Sequence, residues 1–166
     1  MIKTITGDLI VLALDGEFDM IIHGANIYHI MGAGVAKQIK ENFPQAYKAD
    51  LLTTKGDKNK IGTYSYAICK TNKKILNMDS RLVFKYVTVA NAYTQARLSN
   101  GEDDVFEYEG FEKILKNIFK TISYYKIGMP LIGCGLANGN RERILDIIEK
   151  TIGSMDVTIV EYQPTK

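Results

Sequence analysis

The chain has 166 residues, 46% of them apolar, with 21 basic against 19 acidic side chains. That length suits a single domain over residues 1–166 with one core, and that apolar share excludes a disordered chain. A net charge of +2 offers no broad basic field for nucleic acid, so nucleic acid is not an expected partner and any phosphate recognition must be local.

Two cysteines, Cys69 and Cys134, stand far apart, and with only two histidines there is no zinc-ligand spacing. No metal and no cofactor are expected. Residues 1–20 show no charged leader followed by a long apolar run, and no stretch approaches the ~18 apolar residues of a membrane span. The expectation is a cytoplasmic protein with free thiols and no membrane partner.

In chain order, "IKTIT" reads as a strand, and "FDMIIHGAN" as a buried strand entering a loop. "GAGVAKQIKENF" carries Val35, Ile39 and Phe43 at helical spacing, with Lys37, Gln38 and Lys40 elsewhere on the turn. Pro44 ends that helix and opens the next, "PQAYKADLLTTKG". "GTYSYAICK" and "KILNM" read as two strands, and "FKYVTVANAYTQ" as a third that ends in small polar residues. "DDVFEYEGFEKILKNIFKTISYY" sets Phe111, Ile114, Leu115, Ile118 and Ile122 on one face of a long helix. "IGMPLIG" reads as a short buried strand. "RERILDIIEKTIG" follows as a helix with Ile144, Ile147 and Ile148 inward and Gly153 as its stop, and "DVTIVEY" closes as a strand. Strands alternating with helices predict an α/β sandwich with much parallel pairing, which binds ligands at the carboxyl ends of its strands.

Two glycine loops fall at that edge, "HGANIYHIMGAGVAKQI" (23–39) and "GCGLANGN" (133–140). Each joins a strand to a helix whose first amides lack internal partners and attract anions. Two such loops can grip a diphosphate from both sides, with side chains kept small so that oxygens reach the amides. Each alone is ordinary turn chemistry. Neither is a Rossmann fingerprint, because the third glycine is missing and no acidic residue ends a second strand at the expected place.

The order "TGDLI", "HGANIYHIMGAGVAKQIKENFP", "MPLIGCGLANGN", "VTIVEY" resembles the macrodomain family, from about residue 2 to residue 162. Within it, "MGAGVAKQIKENFP" and "PLIGCGL" are most similar to the branch of ADP-ribose 1″-phosphate phosphatases and hydrolases that remove ADP-ribose from acidic side chains. The resemblance implies a three-layer α/β/α sandwich with a mixed central sheet. It implies ADP-ribose or a derivative as ligand, an ADP-ribosylated protein as partner, and hydrolysis at the distal ribose. A non-catalytic reader or sponge of ADP-ribose is the rival. A nucleic-acid ADP-ribose eraser lacks the basic groove it wants.

By that resemblance Asp8 accepts the adenine amino group and the Leu9 amide contacts the ring. Read locally, Asp8 is equally a turn or helix-cap aspartate. Asn26 faces the distal ribose. Gly32, Ala33 and Gly34 approach that ribose and the phosphate, and Val35 packs beneath the diphosphate. Gly133, Cys134, Gly135, Leu136 and Ala137 form the opposite wall. Tyr162 stands near the adenine, where stacking fits, and Asn91 is a second contact near the distal ribose. His23 and Asn26 are the expected catalytic residues, since imidazole suits proton transfer near neutrality; His29 is the competitor. Cys134 has no base beside it in sequence and is expected to be merely small. The lysine and aspartate of the glutamate hydrolases are missing: "VANAYTQ" holds no lysine, Ala137 fills the aspartate slot, and Asn140 the next acidic option.

Overall fold

The computed structural model describes residues 2–122 and 124–163. Its elements are strand β1 (Ile2–Gly7), helix α1 (Leu9–Leu14), β2 (Met20–Asn26), α2 (Gly34–Asn42), α3 (Pro44–Leu51), β3 (Tyr64–Leu76), β4 (Leu82–Gln95), α4 (Tyr108–Thr121), β5 (Lys126–Met129), α5 (Arg141–Ile152) and β6 (Asp156–Tyr162). The strands lie in the order β1-β6-β5-β2-β4-β3. All neighbours run parallel except the β3–β4 hairpin. The segments that follow β1, β2, β4, β5 and β6 therefore gather along one edge of the sheet, where open parallel sheets hold their ligands.

Helices cover both faces. On one, Phe111, Ile114, Leu115 and Ile118 of α4 and Ile144, Ile147 and Ile148 of α5 pack on Ile22, Ala90, Met129 and Val157. On the other, Leu9, Ile10 and Ala13 of α1, Ile39 of α2 and Ala46 of α3 pack on Ile21, Val87, Val89 and Val160. This is the expected α/β/α sandwich around a mixed sheet. The inward positions of α4 and α5 follow their helical spacing, and Gly153 stops α5 at φ 55°. Ile122 lies beyond the last turn of α4, in extended backbone.

Three elements differ from the sequence reading. Helix α1 is short and apolar throughout, so it carries no helical period; its start rests on Asp8. "GTYSYAICK" and "KILNM" are one strand, interrupted by a register shift between Lys70 and Lys74. There Thr71 Oγ1 donates to Lys85 O (2.7 Å) and accepts from Lys73 N (3.2 Å), which holds the irregular stretch to its neighbour. β5 stops at Met129, because Pro130 has no N–H to offer a ladder.

Candidate functional site

The first loop, 27–33, leaves β2 through Asn26. The Asn26 Oδ1 accepts from Tyr28 N (2.9 Å) and Ile30 N (3.3 Å), and its Nδ2 donates to Ile30 O (2.9 Å). Asn26 thus shapes the loop with its own amide and keeps one Nδ2 hydrogen for something else. The carbonyl of Ile27 accepts from Gly56 N (2.8 Å) and from Lys60 Nζ (3.1 Å), tying the loop to the segment after α3. His29 takes a left-handed φ of 62° and meets Thr53 Oγ1 at 3.1 Å.

The loop ends in an open helix start. Ala33 is the N-cap of α2 and makes no side-chain cap bond. Gly34 has φ 58°, and a Cβ added at Gly32 or Gly34 meets nothing within 4 Å. The first amides of α2 have no side-chain cap and the space beside Gly32 and Gly34 is open, as an anion site requires. Val35 is half-buried and packs against the core beneath.

The second loop, 130–140, closes on itself. Gly139 N donates to Gly133 O (2.6 Å), Asn138 N to Gly135 O (3.1 Å) and Val105 N to Ala137 O (2.9 Å). Gly133 has φ 83°, and a Cβ there would sit 2.6 Å from the Phe106 ring. A Cβ at Gly139 would sit 2.7 Å from Gly133 O. Gly135, by contrast, has nothing within 4 Å of an added Cβ. Asn140 caps α5 by accepting from Arg143 N (2.9 Å), so this helix start is already served by its own chain. Leu136 is exposed at the loop's apex. Ala137 is only 7% exposed and belongs to the core cluster under α4 and α5, so its side chain does not line a wall. Cys134 packs partly against that same cluster, and burial pushes its thiol up, so it is no thiolate nucleophile.

At the sheet's far side Gly7 of β1 pairs with Tyr162 of β6, and Gln163 N donates to Gly7 O (3.2 Å). Asp8 and the exposed Tyr162 therefore end neighbouring strands. Asp8 caps α1 through one oxygen: Oδ1 accepts from Ile10 N (2.9 Å) and Val11 N (3.2 Å). Its second oxygen makes no hydrogen bond among the described residues. Leu9, the first residue of α1, is buried against the sheet, leaving only its backbone for a ligand. Arg141 at the start of α5 pairs with Glu161, next to Tyr162.

His23 and Asn91 lie elsewhere. They pair across β2 and β4 inside the sheet, and His23 is 1% exposed. The two hydrogens of Asn91 Nδ2 go to Ala46 O (2.9 Å) and Ser65 Oγ (3.0 Å). Its Oδ1 can then only accept, from His23 Nε2 at 2.6 Å. That places the proton on Nε2 and leaves Nδ1 a buried acceptor without a partner among the described residues. Burial lowers the His23 pKa, so the ring is neutral. The expectation of His23 as a general base and Asn91 as a ribose contact is corrected: neither reaches the strand ends, because both face α3 from within the sheet.

The same network runs on through residues the sequence did not flag. The hydroxyl of Tyr93 donates to Asp50 Oδ1 (2.6 Å) and accepts from Ser65 Oγ (2.7 Å). Burial, then the Asp50 contact, pushes Tyr93 up to about 12. Lys60 Nζ lies 4.6 Å from the Tyr93 ring centroid. Asp50 and Lys60 belong to no motif; a charged residue at an inward helical position was the only available signal. Among the described residues no cluster of His, Cys, Asp and Glu is placed to hold a metal ion, and no helix is long and apolar enough to cross a membrane.

Residues 22–148 match the Macro domain family. An uncharacterized 17.5 kDa protein from the tk-vs intergenic region of Enterobacteria phage T4 is 32% identical over 169 residues, covering 99% of this chain and 98% of the other. The macrodomain of Mycobacterium tuberculosis DarG aligns over 99% of both chains with a TM-score of 0.64 at 19% identity. Thermosipho africanus DarTG, solved in complex with ADP-ribose, aligns over 98% of this chain and 41% of its own, with a TM-score of 0.64 at 18% identity. The solved macrodomain shares this fold, and the family match over most of the chain leads to one conclusion: this chain belongs to the macro domain family.

Proposed function

We propose that this chain binds ADP-ribose or a derivative along the carboxyl edge of its sheet. The diphosphate lies between the Gly32–Val35 turn and Gly135, with Cys134 and Leu136 beside it. Adenine sits against Asp8, the Leu9 amide and Tyr162, and the distal ribose reaches Asn26. One observation carries this reading: α2 starts at Gly34 with no side-chain cap and with open space around Gly32 and Gly34. A diphosphate fits that unmet demand, since helix amides and the dipole both favour negative charge. Family membership supports the ligand class, as does the Thermosipho africanus relative, which was solved in complex with ADP-ribose.

Hydrolysis at the distal ribose, of ADP-ribose 1″-phosphate or an ADP-ribosyl ester, is the second reading. Asn26 favours it, because its remaining Nδ2 hydrogen can orient a water or a ribose hydroxyl. His23 supplies no base from inside the sheet. The nucleophilic water then depends on Asn26 and on the ligand's own phosphate. The binding test is calorimetry: ADP-ribose binds, and adenosine binds at least tenfold more weakly, because the diphosphate meets the amides. Equal affinities sink the diphosphate cradle. A turnover panel of ADP-ribose 1″-phosphate, ADP-ribosylated glutamate and ADP-ribosylated DNA, with products resolved, decides between hydrolase and reader.

A further inference from the structure

The β3–β4 hairpin carries a surface that the edge site does not use. β3 is the marginal strand of the sheet. β2 begins to pair with β4 only at Thr88, so the stretch of β4 from Leu82 to Val87, with its β3 partners, runs past the sheet's opposite edge. The paired residues Tyr66 and Ala90, Ile68 and Thr88, Lys70 and Tyr86, Lys74 and Phe84 share the face on which α4 packs farther along. The outer part of that face is open: Tyr66 is 57%, Ile68 63% and Tyr86 54% exposed. Lys70 and Lys74 hold their ammonium groups 3.8 and 5.3 Å from the Phe84 ring centroid. Lys113 of α4 lies against Gly62, where the chain enters β3.

Charge is concentrated there as well. From Tyr64 to Gln95 the chain has Lys70, Lys73, Lys74, Arg81 and Lys85 against Asp79 alone, which leaves 16 basic against 18 acidic side chains elsewhere. Lys85 is engaged with Asp19 on the other face (3.2 Å). The open face itself shows tyrosine rings and lysines, with no carboxylate from either strand.

We propose that this face binds single-stranded nucleic acid, with Tyr66 and Tyr86 as stacking platforms and Lys70, Lys74 and Lys113 as phosphate contacts. Exposed aromatic rings beside lysines on an open sheet meet both needs of a single strand, a surface for base faces and cations for the backbone. A second copy fits less well, since antiparallel pairing of two β3 edges about Asn72 sets Lys70 of each copy against Lys74 of the other. A bilayer fits less well too: the hairpin's end exposes Leu76, Met78 and Leu82, but Asn77, Asp79, Ser80 and Arg81 stand among them, and α4 stands up beside the face. Tyr66, Tyr86, Lys70 and Lys74 lie along the hairpin, away from the glycine loops, and only Lys113, beside Gly62, comes near the carboxyl edge, so stacking on the tyrosines is independent of ADP-ribose binding.

The test is fluorescence anisotropy with end-labelled oligo-dT and oligo-U of about 20 nucleotides, the length set by the site sizes of single-strand binders. Both oligonucleotides should bind the wild-type protein. Raising salt from about 50 to 200 mM should weaken binding roughly 20-fold if three lysines meet phosphates, at a slope of about −0.7 per contact. Tyr66→Ala and Tyr86→Ala should each weaken it by roughly 5- to 150-fold, the scale of one lost stacking contact. Both positions are exposed, so the fold survives, and ADP-ribose affinity measured on the same samples should not change. No binding at low salt overturns the proposal, as does binding unchanged by either tyrosine variant. Capture by anionic phosphatidylglycerol vesicles without oligonucleotide binding overturns it for a lipid surface. A dimer in light scattering that Lys70→Glu strengthens overturns it for self-association.

Discussion

The two glycine loops look alike in sequence, since each runs from a strand to a helix through a G-x-G, yet they assign their glycines differently. In the first, Gly32 and Gly34 border empty space and open onto a helix without a side-chain cap. In the second, Gly133 makes room for the Phe106 ring, Gly139 makes room for the Gly133 carbonyl, and Asn140 has already capped the helix. Only Gly135 there is free of the fold. A glycine motif therefore mixes two duties, and the space around an added Cβ separates them.

The largest effect should come from Gly133→Val. A side chain at φ 83° against the Phe106 ring combines backbone strain with overpacking. The expected cost is roughly 2–4 kcal/mol, and Tm should fall by roughly 5–15 °C for a domain of this size. A melt like wild type would mean that the second loop yields easily, and the contrast between the loops would be lost.

Gly135→Val is the matching test of ligand duty. Nothing opposes the new side chain, so Tm should stay within about 2 °C, the range of a neutral surface change. ADP-ribose affinity should drop at least tenfold in calorimetry, because the side chain fills phosphate space. Retained affinity would remove Gly135 from the site. Gly34→Val is a poorer probe, since φ 58° strains any side chain whatever the ligand does.

Asp8 holds both duties in one side chain, and Asp8→Asn separates them. Asparagine caps a helix about as well as aspartate, so stability should be kept. A free carboxylate oxygen for the adenine amine is lost, which should weaken ADP-ribose by about 1–2 kcal/mol, toward the low end for hydrogen bonds to charged groups. An equal loss in Tm and affinity would show that Asp8 only holds α1.

His23 gives the smallest effect and the clearest sign. Its folded pKa lies below the ordinary value of 6.5, so between the two values the unfolded chain binds more protons. Stability is complete above the unfolded pKa and falls as pH drops through 6.5 toward the lowered folded value, by at most about 1.4 kcal/mol per pH unit. His23→Gln should flatten Tm against pH across that window. If turnover of any ADP-ribosyl substrate vanished in His23→Gln while Tm and affinity held, the purely structural role would fail.

Most of the layer architecture was legible because α4 and α5 keep helical spacing and the strands are apolar runs ended by small polar residues. Helix α1 escaped because Leu9–Leu14 is apolar at every position and carries no helical period, which leaves only the Asp8 cap as a signal. The hairpin escaped because "TNK" looks like a break, whereas Thr71 bridges the irregular pairing. Of the site, Gly32, Gly34 and Gly135 were readable as glycines without a packing reason. Gly133 read the same way, since nothing in sequence brings Phe106 beside it. His23 misled because distance from a strand's end does not show which way the ring points. The hairpin's cations were hidden by an overall charge that averages them with acidic surface elsewhere.

The open first turn of α2 also governs how this protein behaves in the laboratory. Backbone amides around a glycine turn do not distinguish the phosphates of a nucleotide from other small oxyanions. On the proposed site, phosphate or sulfate in a buffer should compete for the same amides, and the apparent ADP-ribose affinity in such a buffer should fall below that in a medium whose anions are weakly coordinating.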